Sequence, residues 1–285
     1  MKFTIKKIAT LLTCCNRREI SIACLTNLYK QHLPNDYVLD VYLVDDGSSD
    51  GTGDAIRKQF PDVNIIQGTG NLFWNGGMRL SWKTAAQNYN YDFYLLLNDD
   101  VLLMGNALIK IFENYNHAVV QAGCDGIITG ACMDADLGNF SYGGKTDAGA
   151  VKPDGTVQEC HYTNGNILLV PRAVYDKIGG LSDLFTHGIG DYEYGLRCLK
   201  NKFKCWTSRE YLGYCAYNNS RMCINPEIPL YKRIKLLYSP HGLNLREYIK
   251  YRKLYWPKRW MFDWLKAHLK TVFPRLYLKL KDHMK

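Results

Sequence analysis

Three acidic stations stand out in this chain: Asp45-Asp46, Asp99-Asp100, and Asp191 with Glu193. The stretch YLLLNDDVL, residues 94–102, runs three leucines into Asn98, Asp99 and Asp100 before turning apolar again. A wholly apolar run of strand length reads as a buried parallel strand. In an open α/β sheet the carboxyl ends of such strands face the ligand crevice. Two adjacent carboxylates there need partners. They can hold a hard divalent cation, Mn2+ or Mg2+, which in turn holds phosphate oxygens. A loop-capping acid is the plainer reading. Asp45-Asp46 follows LDVYLV in the same manner, so both stations are expected on one crevice, where a carboxylate can also accept from a sugar hydroxyl or a base N–H. Asp191 opens a helix: its plain role is an N-cap, its functional one a general base taking a proton from a hydroxyl nucleophile.

The elements that must position these acids follow a βα rhythm. Ile8–Thr13 reads as a first strand and Ile20–Lys30 as a helix with Ile22, Leu25 and Leu28 on one face. Leu39–Val44 is a second strand, followed by a polar turn, DDGSSDGT, and a helix to about Phe60; strand, turn and helix make the unit of a parallel sheet. Val63–Gln67 is a third strand. Gly68–Gly77, GTGNLFWNGG, is backbone that bends tightly or approaches something closely. It has neither the Gly-Lys-Ser/Thr ending of a Walker loop nor the glycine spacing of a dinucleotide fingerprint. A helix over Met78–Asn88 leads to the fourth strand, Phe93–Leu97. Beyond it, helix Leu108–Tyr115, strand Gly126–Cys132, a Gly- and Asp-rich hairpin region over Asp134–Gly155, and strand Asn164–Val170 are expected. Pro171 starts a turn of helix, Asp183–Gly190 is a loop carrying His187, Asp191–Lys202 is helical, and Lys204–Trp206 is a last short strand.

The 285 residues suit one α/β domain with an appendage, 1–229 and 230–285. No run reaches the length of a membrane-spanning helix. The apolar start of the chain serves better as a strand than as a signal peptide. Ten cysteines include no CxxC pair and lie mostly in apolar stretches, which suits a reducing cytoplasm rather than a disulfide framework. Residues 230–285 hold 15 Lys or Arg against 3 Asp or Glu, so the net charge of +9 belongs to the tail. The tail reads as helices broken at Pro240, Pro257 and Pro274. Trp256, Trp260 and Trp264 are expected on one face, either against the catalytic domain or on an anionic bilayer. Basic charge alone does not point to nucleic acid.

Taken together, TLLTCCNR, VYLVDDGSSDGT, GNLFWNGGM, YLLLNDDV, NGNILLVPRAVYDKIGGL and GIGDYEYGLR, across residues 8–206, resemble the inverting, nucleotide-sugar-dependent family 2 glycosyltransferases of GT-A fold. The likeness is strongest to bacterial members, rhamnosyltransferase-like, that build surface polysaccharide. It implies an α/β GT-A fold, a Rossmann-like mixed sheet flanked by helices, with the basic helical extension behind it. It implies a metal-dependent transferase (Mn2+ or Mg2+) moving sugar from dTDP-rhamnose or a UDP-sugar to a hydroxyl of a glycan or lipid-linked acceptor. Asp191 then matches the catalytic base. Asp46 matches the acid on the nucleotide base, and Thr13, Cys15 and Arg17 the loop around the nucleoside, although Cys15 replaces a common aromatic. Asn98 and Asp99 fall on the donor side, with Asp100, and Asp99 beside it, as metal ligands. Asn75 and Gly76 border the donor; Trp74, Asn164, Gly165, His187 and Glu193 fall on the acceptor side. Gly190 stands where many relatives have Glu, and no clear match appears over 217–220 for a His and Ser common there. The implied partners are the donor, the acceptor, an anionic membrane met by the tail, and a second copy in a homodimer. The implied place is the cytoplasm, at the inner face of the plasma membrane. A nucleotidyltransferase and a non-catalytic GT-A-fold assembly protein are the competing readings.

Overall fold

The computed structural model describes residues 5–218 and 221–282. Strands β1 (Lys6–Cys14), β2 (Tyr37–Asp45), β3 (Val63–Gln67) and β4 (Phe93–Leu97) alternate with helices α1 (Arg18–Tyr29), α2 (Thr52–Gln59) and α3 (Phe73–Asn88). Then come β5 (Leu102–Leu103), α4 (Ala107–Ala122), β6 (Gly126–Met133), β7 (Phe140–Tyr142), β8 (Lys145–Thr146), β9 (Gly149–Ala150), β10 (Gln158–Glu159), β11 (Ile167–Pro171), α5 (Arg172–Ile178), α6 (Gly190–Lys200) and β12 (Lys204–Tyr214). Four helices follow: α7 (Leu230–Tyr238), α8 (Leu245–Tyr255), α9 (Trp260–Val272) and α10 (Pro274–Asp282).

The main sheet runs β10-β12-β6-β11-β4-β1-β2-β3. The first four strands are parallel, while β11 lies antiparallel between β4 and β6. From β1 the chain winds outward through β2 and β3, then resumes on the other side at β4, which makes the β1/β4 gap the topological switch point. The loops after β1, β2 and β4 leave the same edge of the sheet. Because β11 is reversed, its entry segment 164–166 arrives at that edge too, with Ile167 opposite Leu97.

Both faces of the sheet are covered, which is why its central strands are apolar without alternation. Ile8, Leu12, Leu95 and Leu97 pack with α1 and α4; Ala9, Leu11, Tyr94 and Leu96 pack with α3, α5 and α6. Trp82 of α3 anchors the second layer, with Tyr94, Tyr175 and Tyr194 each 5.4 Å away, centroid to centroid.

Two expectations need correction. The helix expected over Met78–Asn88 begins already at Phe73, so the glycine-rich stretch is a loop only to Leu72, and of the two uses expected of its glycines Gly76 and Gly77 serve close approach. The last strand, expected to be short, has 11 residues, carried past its bulges by parallel pairing with β6.

The chain divides into two compact units, one comprising residues up to Asp183 with Gly190–Tyr217, the other Leu184–Ile189 with Asn218–Lys285. The second is helical, around a small core of Leu237, Leu245 and Ala267. Its breaks follow the prolines: Pro240 lies past the end of α7, Pro257 past that of α8, and Pro274 opens α10. Trp256 caps α8 while Trp260 begins α9, so Pro257 removes Trp256 from the face shared by the other two. Among the described residues no helix is long and apolar enough to cross a membrane.

Leu95 is 1% exposed at the centre of the sheet. Leu95→Ala is expected to lower unfolding stability by about 2–5 kcal/mol in urea titrations. A loss under about 1 kcal/mol would show that β4 is not the core strand.

Candidate functional site

The switch point is built around one arginine and two acids. Arg17, the residue before α1, forks across the acids that follow β4: Nη1 is 2.8 Å from Asp99 Oδ1 and Nη2 is 2.8 Å from Asp100 Oδ2. Ser21 Oγ donates to the other oxygen of Asp99 at 2.9 Å. Asp99 is 3% exposed. Burial pushes its carboxyl up to about 6; Arg17 pulls it back down and the neighbouring Asp100 adds to the rise. Asp100 keeps a third of its side chain exposed, with Cys215 Sγ 3.7 Å from Oδ1. The inner acid is thus secured and the outer one reaches solvent.

A chain of amides joins this pair to Asp191. Asn98 accepts from the Trp74 indole N–H at 2.6 Å and donates to Asn166 Oδ1 at 2.7 Å. Asn164 Oδ1 in turn accepts from the Asn166 backbone N–H at 3.1 Å. Asp191 Oδ2 accepts from the Gly165 N–H at 3.1 Å, with Asn164 Nδ2 at 3.4 Å, and Oδ1 accepts from the Tyr192 N–H at 2.9 Å. Gly165 is required here, because a Cβ would lie 2.3 Å from the Trp74 ring. The Asp191 carboxyl is raised above the ordinary range by burial, against the pull of its backbone donors and of Lys145. Its place at the N-terminus of α6 favours the ionised form. A half-buried carboxylate held by two backbone amides retains lone pairs for an external hydroxyl.

Asp46 plays a bracing part. Its oxygens accept from the N–H groups of Gly70, Leu72 and Phe73 at 2.7, 2.8 and 3.0 Å. It thereby fixes the turn into α3 and with it Trp74. Phe73 sits at φ 55°, as Asn16 does at 52° before Arg17 and Ile189 at 74° before Gly190. Positive φ at Asn16 and Phe73, directly ahead of Arg17 and Trp74, and at Ile189, two residues before Asp191, is strain of the kind held at working sites. Asn16 is tied to the loop after β2: its Oδ1 accepts from the Ser49 N–H at 2.8 Å and its own N–H reaches Ser48 Oγ at 2.9 Å.

The remaining expected residues fall as follows. Thr13 lies at the end of β1 against Gly77, whose Cβ, if present, would be 2.1 Å from Thr13 Oγ1. Cys15 is exposed, and partial desolvation together with the neighbouring Asp46 and Asp45 raises its thiol, which makes a poor nucleophile. Asn75 and Gly76 are buried in the first turn of α3, Asn75 Nδ2 donating to the Ser182 carbonyl at 2.8 Å. Glu193 turns inward to Arg197, 3.1 Å away, whose other donors hold the Ile178 and Gly180 carbonyls. His187 belongs to the helical unit, beside His241 at 5.9 Å between ring centres, and burial lowers its pKa. Of the segment 217–220, Asn219 and Ser220 lie outside the described residues.

Sequence reasoning missed Ser21, Asn166, Cys215 and Lys145. Only Asn166 had left a signal, sharing strand parity with Asn164. It also missed the reason for Gly190. A Cβ at 190 would lie 1.7 Å from Asn75 Oδ1, so Asn75 fills the space that a side chain there would need. Among the described residues no three His, Cys, Asp or Glu side chains gather as a metal cage. Asp100 backed by Asp99 offers the hard oxygens that suit Mg2+ or Mn2+ where phosphate oxygens and water complete the shell.

Residues 10–137 match the family model described as Glycosyl transferase family 2. That span takes in the acids after β2 and β4 and stops before Asn164 and Asp191. No curated protein matches the chain in sequence. Among solved structures, a mannosyltransferase from Pyrobaculum calidifontis, PcManGT, in complex with GDP-Man and Mn2+, is similar with a TM-score of 0.55 at 14% identity, over 95% of this chain and 88% of that one. GalNAc-T7 with UDP, GalNAc and Mn2+ gives 0.61 at 11% identity over 90% of this chain, which spans about half (49%) of that longer one. The fold is that of the GT-A glycosyltransferases, with a helical C-terminal extension.

Asn75 and Gly190 should behave as an interlocked pair. Gly190→Ala is expected to lower stability by about 1–3 kcal/mol through overpacking. Asn75→Ala should relieve part of that loss, a coupling of about 0.5–3 kcal/mol in a double-mutant cycle. Additive losses would mean that α6 and α3 do not compete for that space.

Proposed function

We propose that this chain is an inverting glycosyltransferase that moves a sugar from a nucleoside-diphosphate donor to an acceptor hydroxyl. One observation carries the reading: the Asp191 carboxylate and the Asp99-Asp100 pair stand at one edge of the sheet, joined by the Asn98–Asn166–Asn164 amide chain. The glycosyl transferase family 2 match over 10–137 and the GT-A fold support it.

In this reading Asp191 accepts the acceptor's hydroxyl proton. The freed oxygen forms a bond to the anomeric carbon as the bond from that carbon to the diphosphate oxygen breaks, and configuration inverts. No residue need protonate the departing diphosphate, unlike the leaving group in glycoside hydrolysis. Asp100, with Asp99, is the carboxylate set that would hold a divalent cation; when bound, such an ion supplies positive charge against the leaving diphosphate. Arg17 holds both acids in place and opposes the rise that burial gives the Asp99 carboxyl. Asp46 fixes the turn that seats Trp74 at the site and has oxygen lone pairs left for a base N–H. Trp74, held over Gly165, provides an apolar wall beside the sugar.

The donor class is a nucleotide sugar. The family resemblance favours dTDP-rhamnose or a UDP-sugar without separating them, and the two solved neighbours were captured with GDP-Man or UDP, each with Mn2+. Synthesis of bacterial surface polysaccharide, on a glycan or lipid-linked acceptor, is the matching role.

Calorimetry of the full chain with dTDP-, UDP- and GDP-sugars is expected to find one nucleotide that binds in Mn2+ and weakens in EDTA. Binding of none would overturn the donor assignment. With that donor, Asp191→Asn should retain binding but lose transfer by at least about 100-fold, the scale of a removed general base. Because only ionised Asp191 acts, kcat/KM should fall as pH drops through its raised pKa, so the acid limb lies above the ordinary value of 3.8. An Asp191→Asn enzyme with full transfer, or an acid limb below that value, would remove the base from this residue.

A further inference from the structure

The helical unit is put together in an unusual sense. On α9 the side chains turned into its own core are small: Ala267 and Thr271 are buried. The large apolar ones are turned out. Phe262 is 58% exposed, Leu265 48% and Leu269 49%, and the row continues through Phe273 at 55% into Leu276 at 57% and Leu280 at 55% on α10. The spacing of 262, 265, 269 and 273 is that of one helix face. The two helices leave a groove of about 290 Å³ between them, lined by these same residues. Isolated exposed leucines need no explanation, but a contiguous apolar face does.

Its edges are cationic. Lys266 stands over Phe262 at 5.7 Å and Lys270 over Tyr277 at 4.4 Å, their stems lying along the apolar row. Residues 258–285 hold eight Lys or Arg against Asp263 and Asp282. Asp263 is already spent on Arg252 at 2.6 Å. Charge of one sign around an apolar face selects the occupant. A second copy would bring like charge against like charge. A nucleic acid would match the charge but leave the phenylalanines and leucines in water. A surface that combines anionic head groups with hydrocarbon just beneath them satisfies both.

We propose that the α9–α10 face docks on an anionic lipid bilayer, the apolar row entering the acyl boundary and the lysines meeting the head groups. Neither helix spans the membrane; both lie on it. The proposal is independent of the transfer chemistry and survives if that chemistry is assigned otherwise.

The test is co-sedimentation of the full chain with vesicles of phosphatidylglycerol and phosphatidylcholine, against vesicles of phosphatidylcholine alone. Binding is expected only with the anionic lipid and should weaken as salt rises. The triple variant Phe262→Ser, Leu265→Ser, Leu269→Ser changes exposed positions only and should lose binding by at least about tenfold. Lys266→Glu with Lys270→Glu, which leaves the apolar row intact, should lose it as well and covers the case in which the serine variant fails to fold. Three results would overturn the proposal. These are no binding by the native chain, binding undiminished by either variant, and sedimentation equilibrium showing a dimer that the serine variant dissolves, which would assign the face to a second copy.

Discussion

A carboxylate that is almost wholly buried beside another carboxylate is costly to hold. Burial beside a second acid favours the protonated form of Asp99 unless a cation meets it. Arg17 meets both acids with one planar fork, a geometry that lysine could not reproduce. The fork also crosses the switch point, tying the loop after β1 to the loop after β4. Through Asn98 the same tie reaches Trp74, the entry to β11 and the start of α6.

Around that contact the fold trades side-chain volume for proximity. Gly77 lets α3 approach Thr13 and Gly165 lets the Trp74 ring lie on the backbone. The strained residues Asn16, Phe73 and Ile189 stand one step ahead of Arg17, Trp74 and Gly190. Such strain persists only where neighbours over-determine it. The Asp46 bonds to three amides and the Asn16 bonds to the 48–49 turn are what hold two of those positions.

Much of this was legible in the sequence because the physics is local. Apolar runs of strand length, each ending in acids, announce a parallel sheet and the edge where its site lies, and β1, β2 and β4 formed as their residues suggested. What could not be read was pairing across long separations. Nothing in the spacing says that Arg17 will find Asp99 across 82 residues, whereas Glu193 and Arg197, four apart on α6, stand at the spacing of a helical ion pair. The glycine-rich stretch left a bend and a close approach both open, because glycine signals either, and at Gly76 and Gly77 it is close approach that operates. The length of β12 depends on its partner β6, which no local signal supplies. The tail showed its charge and its apolar residues plainly. Which of them face inward depended on the small Ala267 and Thr271 face, where pattern reasoning takes the large residues for the core.

The fit of Asn75 against Gly190 bears on how relatives of this chain can diverge. Two positions that share one volume change as a unit: a lineage that places an acidic side chain ahead of the Asp191 helix must first shorten residue 75, and the reverse order passes through a poorly folded ancestor. The route between the two arrangements is therefore directional. On this packing a homologue with a side chain at 190 is expected to carry a smaller residue at 75.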